Sequence, residues 1–187
     1  SWHEQDRAAS GIACEAGAMA FGVYPGTFDP LTIAHLAVAD AAIDQLGLTR
    51  LDLAISRRAL GKEHLDDDTV DRRLAEITAT IGHRPHLAVV VVDARLLADI
   101  ARGYDAVVMG ADKWAQVIDP AWYDGDADAR DAAVAALPRV AVAPRRGWTT
   151  PSEFRLSVPD HIAEVSATAV RDGRHDWAAS PPPDGAG

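Results

Sequence analysis

Cysteine is almost absent from this 187-residue chain. Cys14 stands alone, which excludes a disulfide framework and a thiolate metal cluster. A single thiol fits a reducing compartment, so the chain is read as cytoplasmic. Lysine is nearly as scarce: Lys62 and Lys113 are the only two, and arginine supplies the rest of the basic charge. The net charge of -10 excludes a general nucleic-acid binder, because such proteins depend on basic surface. It leaves room for a small anionic ligand, which local dipoles and a few arginines can hold. No apolar run approaches the roughly 20 residues of a membrane-spanning helix. Residues 1–18 lack both a strand or helix period and an apolar stretch long enough for a secretory signal. They read as a leader or disordered extension ahead of a domain beginning at Met19.

What is present is a regular alternation. Apolar, β-branched runs at 20–24, 51–55, 87–92, 106–109, 140–143 and 162–165 read as strands. Between them, residues 32–46, 69–81, 95–102, 112–117 and 129–136 carry helical patterns, and 169–176 would follow the last strand. Gly47 and Gly103 stand where two of these helices should stop, and Asp66–Asp68 offer a cap for another. The run 87–92 is almost continuously β-branched and suits a strand buried on both faces of a parallel sheet. Alternation of this kind predicts one α/β domain over 19–177, a Rossmann-like doubly wound parallel sheet. Residues 178–187, rich in proline and glycine, read as a disordered tail.

Ligands of such folds sit beyond the carboxyl ends of the strands. Three marked stretches fall there: 26–35, 110–112 and 166–171. In the first, FGVYPGTFDPLTIAHL, a strand runs into Pro25–Gly26, then a polar loop, then a helix start. Exposed N–H groups and the helix dipole make that corner an anion site. Thr32 and His35, three apart, share a helix face. Neither a carboxylate pair nor a Ser–His–Asp pattern nor a metal-ligand cluster accompanies them. Positioning and neutralisation of phosphates is the chemistry such donors supply.

GTFDPLTIAH resembles the (H/T)xGH motif of the nucleotidyltransferase superfamily of adenylyl- and cytidylyltransferases. SATAVR, residues 166–171, resembles its second motif, ISSTxxR. Two motifs at opposite ends of one domain are far more specific than either alone. Within the superfamily the chain looks most like nicotinate mononucleotide adenylyltransferase: Gly110-Ala111-Asp112 resembles its GxD element, Pro120-Ala121-Trp122-Tyr123 its PxWY segment, and Pro144-Arg145-Arg146-Gly147 its RPG loop. A second likeness is to phosphopantetheine adenylyltransferase, through ARLLADIARGYDAV, although MGAD stands where that enzyme has RGLR. Ala34 occupies the glycine position of the first motif.

The resemblance implies transfer of the AMP moiety of ATP to a phosphorylated acceptor, with Mg²⁺ offsetting phosphate charge. It assigns catalysis to Thr32, His35 and Arg171. Gly26, Thr27, Phe28, Asp112, Ser166 and Thr168 would hold ATP, and Trp122 and Lys62 the acceptor. No protein-held metal site is expected. The expected partners are small nucleotides rather than nucleic acid or membrane, with homo-oligomerisation open. The alternatives are a phosphopantetheine- or cytidylyl-type transferase, and a nucleotide-binding protein without turnover, a reading that Ala34 keeps in play.

Overall fold

The computed structural model describes residues 18–58 and 65–181. Residues 1–17 of the leader expected at 1–18, Lys62 in the loop after the second strand, and the tail beyond residue 181 lie outside the described residues.

Five strands form one all-parallel sheet: β1 (Phe21–Gly26), β2 (Arg50–Ser56), β3 (Leu87–Val92), β4 (Ala106–Gly110) and β5 (Arg139–Ala143), in the order β3-β2-β1-β4-β5. Connecting them are α1 (Ile33–Leu46), α2 (Asp67–Ile81), α3 (Leu97–Ile100), α4 (Ala111–Ile118) and α5 (Ala127–Ala135), and α6 (Ala167–Arg171) follows later. This is the Rossmann-like α/β arrangement the alternation predicts. Among the described residues, no helix is long and apolar enough to cross a membrane.

The period-2 alternation of strand side chains divides the core into two layers. Tyr24, Leu53 and Val108 point to one face, where α1 and α2 supply Val38, Ala42 and Ile77. Val23, Ala54 and Val107 point to the other, where α3 and α4 supply Leu97, Trp114 and Val117. The helices α1, α2, α5 and α6 start on side-chain caps, whereas α3 and α4 do not. Asp66 accepts the Thr69 N–H at 2.7 Å and opens α2, and Asp126 accepts the Ala129 N–H at 3.0 Å and opens α5.

Three expectations need correction. Residues 162–165 are not a sixth strand. Asp160–Glu164 is a 3₁₀ turn that buries Ile162, and Val165 packs beside it. A four-residue apolar run is long enough to fill a core gap without joining a sheet. β3 is not buried on both faces: it is an edge strand, and five of its six residues are only half-buried. The last helix spans five residues, with a further 3₁₀ turn at His175–Trp177. The packed chain also runs past Trp177. Ala178 pairs antiparallel with Thr32, and the Ala179 N–H donates to the Leu31 carbonyl at 2.9 Å. The start of the proline-rich segment is thus held against the entry to α1.

Candidate functional site

Four strands end on one cavity of about 380 Å³. Gly26 of β1, Ser56 of β2, Gly110 of β4 and Ala143 of β5 all line it. The three stretches singled out in the sequence converge there: Gly26, Thr27 and His35 from the first, Asp112 from the second, and Ser166, Thr168 and Arg171 from the third. Trp122 lines the same cavity.

The β1–α1 corner is built around His35. Thr32 caps α1: its Oγ1 accepts the His35 N–H at 3.3 Å, while His35 Nδ1 accepts the Thr32 N–H at 3.0 Å. This reciprocal capping box consumes donors expected to face a phosphate. Thr32 is only 1% exposed, its hydroxyl 3.0 Å from His35 Nδ1, and it does not line the cavity. Its place is behind the imidazole rather than beside it. Phe28 is likewise absent from the lining. Buried at φ 45°, it packs its ring edge-on against His35 with centroids 5.0 Å apart. A Cβ on Gly26 would stand 2.8 Å from the tip of that ring. The missing side chain of Gly26 therefore makes room for Phe28.

Burial, aided by the Arg145 guanidinium, drops the His35 pKa from 6.5 to about 3. The ring is neutral at physiological pH. Because a backbone N–H can only donate, Nδ1 is the acceptor and the proton resides on Nε2, at the opposite edge of the ring. The neighbouring Tyr24 hydroxyl is pushed well above its usual range, chiefly by burial, and stays protonated.

The third stretch presents a second helix start. Ser166 caps α6 by accepting the Ala169 N–H at 3.1 Å. Arg171 donates to Thr168 Oγ1 at 3.1 Å and to the Asp29 carbonyl, which joins α6 to the loop after β1. Asp112 pairs with Arg145 at 3.5 Å, and a Cβ on Gly110 would stand 2.5 Å from Asp112 Oδ1. The missing Cβ of Gly110 leaves room for the Asp112 carboxylate where it turns toward Arg145.

Two contributors are not among the residues assigned to the site from the sequence. Arg145 lines the cavity, donates to the Val165 carbonyl at 2.7 Å and acts on His35. Its place in the RPG-like loop is the one signal that could have found it. Arg73, on α2, reaches the loop after β1 and carries no motif. Arg57 and Arg58, by contrast, form ion pairs with Asp67 and Asp93 away from the cavity lining. Among the described residues, no group of three or more His, Cys, Asp or Glu is arranged to hold a metal.

Strand order β3-β2-β1-β4-β5, with a cavity at the carboxyl edge and helix starts facing it, defines a Rossmann-like nucleotidyltransferase fold. Residues 23–173 match the family described as Cytidylyltransferase-like, and the chain belongs to that family. It is also similar to two proteins named phosphopantetheine adenylyltransferase, from Anaeromyxobacter sp. (strain K) and Anaeromyxobacter dehalogenans (strain 2CP-1 / ATCC BAA-258). Each is 38% identical over 80 residues, covering 43% of this chain and 45% of the relative. The matched stretch therefore spans somewhat under half the length of these relatives.

Proposed function

We propose that this chain transfers the AMP moiety of ATP to a small phosphorylated acceptor and releases pyrophosphate. The observation that carries this reading is the convergence of His35, from the start of α1, with Thr168 and Arg171, from α6, on one cavity. The acceptor's phosphate oxygen attacks the α-phosphorus of ATP in line. A new P–O bond forms, and the bond to the bridging oxygen of pyrophosphate breaks.

Neutral His35 donates from Nε2–H to an α-phosphate oxygen as charge develops there. Arg171, with Ser166 and Thr168 at the second helix start, holds the β- and γ-phosphates, and the Gly26–Thr27 backbone flanks the α-phosphate. Thr32 acts through His35, fixing its tautomer and orientation. Phe28 acts in the same way, by packing against the ring. Among the described lining residues Asp112 is the one carboxylate, and it is already paired with Arg145. Mg²⁺ would enter with the ATP substrate and offset the charge of its phosphates.

Two acceptors have specific support. Similarity to the Anaeromyxobacter enzymes favours 4′-phosphopantetheine. Trp122 in the lining favours an aromatic acceptor such as nicotinate mononucleotide, which can stack on the indole. Lys62 is assigned to the acceptor phosphate on its motif position alone. Pyrophosphate release from ATP with each acceptor tests the reading. The expected result is turnover with one of them. ATP binding without turnover on any phosphorylated acceptor would instead make this a nucleotide-binding protein, with Ala34 the residue to examine.

A further inference from the structure

Arg73 lies on α2, outside every motif, and its side chain is 9% exposed. Its guanidinium donates to Asp29 Oδ2 at 2.7 Å and approaches the Thr27 carbonyl at 3.4 Å, while its Nε is buried with no hydrogen-bond partner among the described residues. Such a group is costly to desolvate and persists where its contacts fix something. What it fixes is the loop after β1, from both ends of a three-residue span. Asp29 in turn offers its backbone carbonyl to Arg171. One residue therefore receives a buried arginine on its side chain and the cavity arginine on its main chain.

The geometry points to Arg73 as the positioning residue of the phosphate site. It holds the 27–29 loop, and through Asp29 it sets where the Arg171 guanidinium stands. The same loop carries Phe28, whose ring abuts His35. Arg73 thus reaches both halves of the site without lining the cavity. A merely structural arginine would contribute to stability alone. This arrangement instead ties ATP affinity to a residue of α2. The inference rests on the adenylyl-transfer reading for its ligand, though not for its loop.

The test uses the full chain with Arg73→Lys, Arg73→Met and Asp29→Asn. Asp29 is partly exposed, so Asp29→Asn keeps the test alive where Arg73→Met fails to fold. Amide hydrogen exchange of the ligand-free protein should quicken over residues 26–32 in each folded variant, and unchanged exchange there would overturn the inference. Calorimetric binding of α,β-methylene-ATP should weaken about tenfold in Asp29→Asn, within the range that small misplacements of binding groups cost, and Arg73→Lys should recover part of what Arg73→Met loses. Equal affinity in wild type and Asp29→Asn would also overturn it. A wild type that fails to bind the analogue would refute the adenylyl-transfer reading, leaving the exchange data to decide the role of Arg73.

Discussion

His35 Nδ1 accepts the Thr32 backbone N–H at 3.0 Å, and this bond decides which edge of the imidazole carries the proton. It also makes His35 a structural residue, because the same contact is half of the capping box of α1. The two roles come apart in mutants. His35→Ala should lower turnover by about 10²–10³, the usual cost of one transition-state donor, and stability by about 1 kcal/mol through the lost cap. Glutamine suits the third position of a capping box, so His35→Gln should recover the stability without recovering comparable turnover. Pyrophosphate release and urea denaturation read the two effects separately. An active His35→Ala protein would remove His35 from the chemistry.

The depressed pKa of His35 carries a pH dependence whose sign is fixed. An unfolded histidine binds its proton near pH 6.5, whereas the folded one resists until about 3. Between those values the unfolded state holds more protons, so stability is highest above pH 6.5 and is progressively lost as pH falls toward 3. Wild type should lose more melting temperature between pH 7 and pH 4.5 than His35→Gln does. Equal losses would show that the imidazole is not held neutral. Activity should likewise show no acidic limb near 6.5 from this residue.

Most of the fold and half of the site were open to inspection in the sequence, for physical reasons. Strand ends in a parallel sheet share one edge, so residues 26–35 and 110–112 had to converge once β1 and β4 paired, whereas 166–171 reach the same cavity from a 3₁₀ turn rather than a strand. Arg73 and Arg145 were hidden because a long side chain announces neither its burial nor its partner. Each reaches a loop far away in sequence, Arg73 the segment 27–29 and Arg145 the carbonyl of Val165. The residues 162–165 misled because four apolar residues fill a core gap as a turn as readily as they form a strand.

Gly26 offers a test of loop packing. A β-carbon there would meet Phe28 Cζ at 2.8 Å and Cε1 at 2.9 Å. Gly26→Ala should push the Phe28 ring out of its buried seat against His35. Overpacking of this kind costs about 1–3 kcal/mol, which urea denaturation would register. If relief of the clash is the cause, Gly26→Ala combined with Phe28→Leu should recover part of the loss. Additive losses would mean that the glycine is needed for something other than the ring.

Trp122 distinguishes the acceptors. It lines the cavity half-buried in the 3₁₀ turn Pro120–Tyr123, a turn that Asp119 caps by accepting the Ala121 N–H at 2.9 Å. Its turn is held without the indole, so Trp122→Ala should keep the fold. If the acceptor is an aromatic mononucleotide, the variant should raise the acceptor KM about fivefold or more, since stacking on an aromatic side chain contributes about 1–3 kcal/mol, and leave the KM for ATP nearly unchanged. If the acceptor is 4′-phosphopantetheine, whose chain has no ring to stack, the acceptor KM should move by less than about threefold, the size of a lost weak apolar contact. Steady-state kinetics with both acceptors, on wild type and variant, therefore assigns the role of the tryptophan and the class of acceptor together.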